Sequence, residues 1–365
     1  MDFSCTEAQG DLSGLTREIL DDHATAERLR EVEQEPDRFD RALWTQLAQA
    51  GVLSAALPST AGGGGFGLLE QCSVLIELGR AVAPVPYLAS ITTAAAALAQ
   101  FGTPEQQQRW AVPATKGELV LTAALAEENN PDPDRPACRA ERVADGWTLT
   151  GTKTTVPAGT FADLVLVPAS TSDGARVFLV EPEQLSIERQ RIVDGDSEAW
   201  LALDGAQVGE DQVLGEDSTV LDWLLTRATV GACAHQVGVV ERALELTSEY
   251  ARERVQFGRP IGSFQAVAQR LADAFIDVEA ARLTLWQAAW RVDEGLPCAA
   301  EVATAKFWAA DSGHRVAHTA VHVHGGVGID LDHRLHRYFV AAKRNEFSLG
   351  GAAAQLGRLG DVLAG

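Results

Sequence analysis

Apolar residues recur at three- and four-residue spacing over residues 15–30 and 39–50, the period of a helix that buries one face. The same period resumes over 68–82, after the glycine-rich run AGGGGFG that starts at Ala61. From about residue 119 the period shortens. ELVLTAALAEE, GWTLTGTKTTVPAG, DLVLVPAS and ARVFLVEPE are short apolar runs cut by Gly, Pro and Asp, the pattern of strands and tight turns. NNPDPDRP, residues 129–136, reads as a surface loop between strands. Helical spacing returns beyond about residue 216 in four long segments, 218–250, 263–294, 299–324 and 335–364, punctuated by prolines 260 and 297 and glycines 325, 326 and 328. Long helices with short connections predict an antiparallel bundle. The expected fold class is α+β, with an N-terminal helical domain (1–118), a small middle β domain (119–215) and a C-terminal helical bundle (216–365).

Composition narrows the function classes. The chain is 46% hydrophobic and 22% charged, as a globular protein is, and its net charge of -21 argues against nucleic-acid binding. About half of the 30 Lys and Arg lie in the last 150 residues, so a polyanionic ligand is expected there. The five cysteines form no close pair, which excludes a CxxC motif and argues against a disulfide framework. The start, MDFSCTEAQGDL, lacks the apolar core of a signal peptide, and the alanine-rich stretch at 89–99 is too short to span a bilayer. A cytoplasmic location without a membrane span is expected. The four glycines 62–65 are read as an interhelical loop, because no GK[ST] follows them as a phosphate loop requires.

Several blocks then resemble one family in order and spacing: YARERVQFGRPIGSFQ (250–265), GWTLTGTK (146–153), HGGVGID (324–330), and LAQAGVLSAALPSTAGGGGFG with the later ELGR. Together they resemble the acyl-CoA dehydrogenases over nearly the whole chain. The resemblance implies an N-terminal helical domain, a small β domain and a C-terminal four-helix bundle. It also implies FAD, an acyl-CoA substrate desaturated to the 2,3-enoyl-CoA, and an electron-transfer acceptor. In that chemistry a carboxylate removes the proton α to the thioester while the β-hydrogen leaves as hydride to the flavin.

Carried onto this chain, the resemblance leaves the catalytic base without a residue. Counting from the Ala342-Lys343 pair puts Leu349 at the usual glutamate position. Counting back from Tyr250 puts Ala228 at the position used by a second branch. Neither takes a proton, so no catalytic residue is expected in this chain. Glu346, three residues before Leu349, is the nearest alternative carboxylate.

The flavin contacts divide in the same way. After Gly151-Thr152-Lys153 the ring-stacking Trp of the family is replaced by Thr155, and a hydrogen-bonding Thr by Pro157. The residues that family members extend to a neighbouring subunit's FAD are present: Arg254 for the pyrophosphate, then Gln256, Phe257, Phe264, Gln265, Gly325 and Gly326, with His322 where a glutamine is usual. The pattern resembles the non-catalytic β-type subunit of the heteromeric acyl-CoA dehydrogenases of actinobacterial steroid catabolism. That implies an α2β2 heterotetramer in which FAD is shared with a partner carrying the glutamate, and steroid side-chain CoA esters as substrates. A self-sufficient dehydrogenase or oxidase using Glu346, and a scaffold that binds no FAD, remain the competing readings. His314, His318 and His322 share a helix face and are read as packing or interface groups rather than metal ligands.

Overall fold

The computed structural model describes residues 5–364. Helix α1 (Glu7–His23) starts at a capping box between Thr6 and Gln9, and α2 (Ala26–Val32) follows after a break at Ala24. The single helix expected over 15–30 is thus two. Thr25 accepts the Arg28 N–H and so begins a new helix instead of continuing the old one. Helix α3 (Arg41–Gln49) is capped by the Asp40 carboxylate, which accepts the N–H groups of Ala42 and Leu43. Helix α4 (Leu68–Ala81) follows the glycine run, where a side chain on Gly63 would collide with the Leu57 carbonyl. The run is therefore a tight backbone crossing and not an open phosphate loop. A π-helical stretch (Leu88–Ala95) leads into α5 (Ala96–Phe101), and short helices α6 (Pro104–Gln106) and α7 (Val112–Thr115) close the segment.

Ten strands follow: β1 (Leu121–Ala123), β2 (Arg139–Val143), β3 (Gly146–Thr150), β4 (Thr152–Pro157), β5 (Leu164–Thr171), β6 (Gly174–Val180), β7 (Ser186–Arg191), β8 (Ser197–Ala202), β9 (Ala206–Val208) and β10 (Val213–Leu214). One sheet has the order β10-β6-β5-β2-β3-β9, with β1 parallel to β5; the other is the antiparallel β4-β8-β7. Their shared core holds Trp147, Leu149, Val165, Val167, Phe178, Val180 and Leu201. The fully apolar run of β5 is explained by burial on both faces.

The C-terminal part is α8 (Thr219–Glu253), a hairpin of β11 (Val255–Gln256) and β12 (Arg259–Pro260), then α9 (Gln265–Asp293), α10 (Ala299–His324), α11 (Leu335–Phe347) and α12 (Ala352–Ala364). Helices α9, α11 and α12 all pack against α10. Val239, Ala243 and Leu246 of α8 meet Ala317, Tyr338, Ala341 and Ala342, and Val240 meets Ala274, Val278 and Val316. Arg315 of α10 grips the buried Asp277 of α9 with two bonds of 2.7 and 2.8 Å. The helix expected over 335–364 is broken after Phe347. Leu349 and Gly350 adopt left-handed backbone (φ 58° and 94°), which no helix propagates through.

The chain packs as two compact units. One comprises Met1–Arg28, Cys72–Ala83 and Thr229–Gly365; the other comprises Leu29–Gln71 and Pro84–Ala228. Among the described residues no helix is long and apolar enough to cross a membrane.

Candidate functional site

In the first unit the end of α8 builds an outward-facing edge. The Arg254 N–H donates to Tyr250 O at 2.8 Å, and the Ile261 N–H donates to Arg254 O at 2.8 Å, which closes the β11–β12 hairpin. Its turn residues, Phe257 and Gly258, both have positive φ (53° and 79°), as a two-residue hairpin of this twist demands. Glycine meets that demand without strain and phenylalanine does not. Phe257 is nonetheless there, 92% exposed, its ring edge-on to Phe264 at 6.1 Å. The Arg259 guanidinium lies over the other aromatic, Phe264, at 4.3 Å. Arg254, Gln256 and Gln265 are exposed. Among the described residues the Arg254 guanidinium has no hydrogen-bond or ion-pair partner.

The end of α10 forms the second part of this edge. His322 is exposed on its last turn. Gly325 leaves the helix at φ 64° and ψ -143°, and a side chain on Gly325 or Gly326 would meet open space. The backbone there is bare to an approaching molecule. Between these segments the ring of buried His324 stacks on Tyr250, centroids 4.2 Å apart and planes 20° from parallel. The sequence placed Arg254, Gln256, Phe257, Phe264 and Gln265 on one segment, and His322, Gly325 and Gly326 on another. The stack brings the two together, and sequence reasoning did not single it out.

The edge offers an unpaired guanidinium of the kind that pairs with phosphate oxygens, an exposed aromatic face and side-chain-free backbone. In the second unit Thr155, where the resemblance implies a tryptophan, is exposed at a bulge in β4 with φ 46°. Its N–H and the Thr154 hydroxyl both bond Gln190 Oε1, at 2.8 and 3.1 Å. Pro157 offers only its carbonyl, which accepts from the Thr122 hydroxyl.

Beside Thr155 lies a pair the sequence reading missed. Lys153 Nζ donates to Glu127 Oε1 at 2.7 Å, both side chains almost wholly buried. Glu127 also accepts from Asn130 and from the N–H groups of Ala137 and Cys138. Burial by itself raises the Glu127 pKa, but the Lys153 ammonium and these donors outweigh it and hold the carboxyl at about 2. One carboxylate thus folds the 127–138 excursion back onto β4. The only sequence cue was a lysine inside a run otherwise fit for a buried strand. Burial pushes the neighbouring Cys138 thiol up to about 12, so it is no nucleophile.

Of the two positions at which the resemblance implies a base, Ala228 is buried within α8, and Leu349 sits in the turn between α11 and α12. That turn is held by its carbonyls. Gln355 Nε2 donates to Leu349 O at 2.9 Å, and Lys306 Nζ donates to Asn345 O and Glu346 O at 3.0 and 3.3 Å. Burial pushes the Lys306 ammonium down to about 8. Glu346, on the last turn of α11, is engaged by Lys343 at 2.6 Å and by His314 Nδ1 at 3.2 Å. Lys343 Nζ also lies 3.0 Å from His314 Nδ1. No group of three or more His, Cys, Asp or Glu among the described residues is arranged to hold a metal.

Comparison with known proteins agrees with this architecture. The family models "Acyl-CoA dehydrogenase, N-terminal domain" and "Acyl-CoA dehydrogenase, C-terminal domain" match residues 6–118 and 219–364. The chain is 51% identical to Acyl-CoA dehydrogenase FadE27 of Mycobacterium tuberculosis, covering all of this chain and 99% of that protein. Among solved structures it matches a chain of the ChsE4-ChsE5 complex from Mycobacterium tuberculosis at 52% identity and TM-score 0.96, covering 100% and 99% of the two chains. It also matches a chain described as a variant of the Tcur3481-Tcur3483 steroid ACAD at 43% identity and TM-score 0.94, covering 98% of each. With helical domains flanking a β domain and sequence likeness along its whole length, this chain belongs to the acyl-CoA dehydrogenase family of flavoprotein oxidoreductases.

Proposed function

We propose that this chain is the non-catalytic subunit of a heteromeric acyl-CoA dehydrogenase and completes the FAD site of a partner subunit that carries the glutamate base. The observation that carries the reading is an asymmetry. The base positions hold Leu349 and Ala228 and the ring platform holds Thr155 and Pro157, while Arg254, Phe257 and Gln265 project, exposed, from the other unit. When bound, FAD supplies hydride acceptance from the β-carbon of the acyl-CoA. The role proposed for this chain is binding. Arg254 pairs with the pyrophosphate, Phe257, Phe264, Gln256 and Gln265 contact the adenosine portion, and Gly325 and Gly326 admit the cofactor close to backbone, beside His322.

An α2β2 assembly in the cytoplasm, reduced by steroid side-chain CoA esters and emptied by an electron-transfer acceptor, extends this proposal. Its support is the likeness to a chain of the ChsE4-ChsE5 complex and to a chain described as a steroid ACAD. The three segments 1–118, 119–215 and 216–365 are proposed as its domains. A self-sufficient enzyme using Glu346 is disfavoured, because that carboxylate is already committed to Lys343 and His314.

Purification alone and together with a candidate partner, an acyl-CoA dehydrogenase that carries the glutamate base, tests the reading. Colourless protein alone, and stoichiometric FAD with substrate-dependent dye reduction in the complex, are expected. FAD-loaded chain that reduces a dye with acyl-CoA by itself would overturn the proposal.

A further inference from the structure

The edge formed by the hairpin and the glycine turn is assembled from two exposed segments that carry little burial of their own. Every residue from Arg252 to Pro260 is exposed, as are Gly325, Gly326 and Val327. Buried residues adjoin this edge at Ala251, His324 and Gly328. Tyr250 stands one helical turn before Arg254 and accepts its N–H through the backbone. His324 is 5% exposed and immediately precedes Gly325. Their rings lie nearly parallel at 4.2 Å, and His324 Nδ1 is fixed by Ala320 O at 2.8 Å.

We infer that the Tyr250–His324 stack is a positioning element: it locks the Arg254 hairpin to the Gly325–Gly326 turn, so that the two segments present one preformed nucleotide-binding edge. The consequence for FAD rests on the function proposed above. Without the stack each segment must be ordered separately on binding, and that ordering weakens the complex. Burial, opposed by the bond to Ala320 O and aided by a smaller contribution from His333 at 5.3 Å between ring centroids, lowers the His324 pKa from its ordinary value and favours the uncharged ring. A neutral imidazole stacks on the phenol without the desolvation that a cation would demand. Neither residue touches the cofactor in this assignment; they act through Arg254 and the glycines.

The test uses the full-length chain with Tyr250→Leu, His324→Ala and His324→Phe, the last keeping an aromatic ring. Hydrogen–deuterium exchange on the chain alone reads the coupling. Tyr250→Leu is expected to speed exchange in 325–329 as well as in the hairpin, and His324→Ala to speed exchange in the hairpin as well as in 325–329. FAD dissociation from the co-purified complex reads the consequence, with a rise of roughly three- to tenfold for His324→Ala and recovery by His324→Phe. Loosening confined to the substituted segment overturns the coupling. Unchanged FAD dissociation, or no recovery by His324→Phe, overturns the positioning role of the ring. If the wild-type complex holds no FAD, the proposed function fails, and the exchange result still decides whether the stack couples the segments.

Discussion

Glu127 and Lys153 are the residues on which a single change is expected to cost most. Each side chain is buried, and among the described residues each is the other's only charged partner within hydrogen-bonding distance. Lys153→Met leaves a buried carboxylate with its N–H donors but no cation, and is expected to cost about 3–5 kcal/mol, read by urea unfolding. The pH dependence follows from the lowered Glu127 pKa. The contribution is complete above about 4.5 and is lost as the pH falls toward about 2, where the folded-state carboxyl takes up its proton. Unfolding midpoints measured between pH 5 and pH 2.5 should show this slope, and Glu127→Gln should flatten it. At Leu349 a chemical prediction applies. On the proposed function, Leu349→Glu puts a carboxylate where the resemblance implies the base, yet dehydrogenase activity of the chain alone is expected to stay at background in a dye-reduction assay. The turn there is left-handed and held by Gln355, and Thr155 and Pro157 stand where the resemblance implies the flavin-ring contacts.

Two helix-level contacts make further predictions. Helices α4 and α8 touch at Gly79 and Gly238, where added side chains would run into the carbonyls of His235 and Ile76. Gly238→Ala forces backbone apart and is expected to cost about 1–3 kcal/mol despite alanine's better helix propensity, seen as a lowered Tm. Lys306 caps the last carbonyls of α11 from inside the bundle. Its ammonium, lowered from 10.5 to about 8, is penalised by burial whenever both folded and unfolded states carry the proton, that is, below about pH 8. Between about 8 and 10.5 the folded state gives up its proton first, so stability rises with pH. Lys306→Met should remove that rise in unfolding curves compared at pH 8 and pH 10.

For the whole molecule, stability and cofactor binding are expected to separate. Arg254→Ala and Phe257→Ala remove exposed groups and should change the chain's own stability by no more than about 0.5 kcal/mol in a thermal melt. The same changes should lower the flavin-to-protein ratio of the co-purified complex. A matched loss of stability would place these residues in the fold instead of the site.

The switch from helical to strand period and back was legible along the chain because burial on one face leaves a period that needs no knowledge of partners. The residue types RVQFG, FQ and HGG were legible in the sequence. The breaks at Ala24 and Leu349 were not, since a capping threonine and a left-handed leucine leave no mark on apolar spacing. Nor were the pairings of Glu127 with Lys153, Tyr250 with His324, or Lys306 with the end of α11. Their partners lie 26, 74 and 39 residues apart in sequence. By itself the sequence determined the class of fold, because the period of its apolar residues follows from burial on one face and needs no knowledge of partners. Only the tertiary structure decided which groups are buried together and which face outward unpaired, because desolvation and contact depend on distances that chain order does not contain.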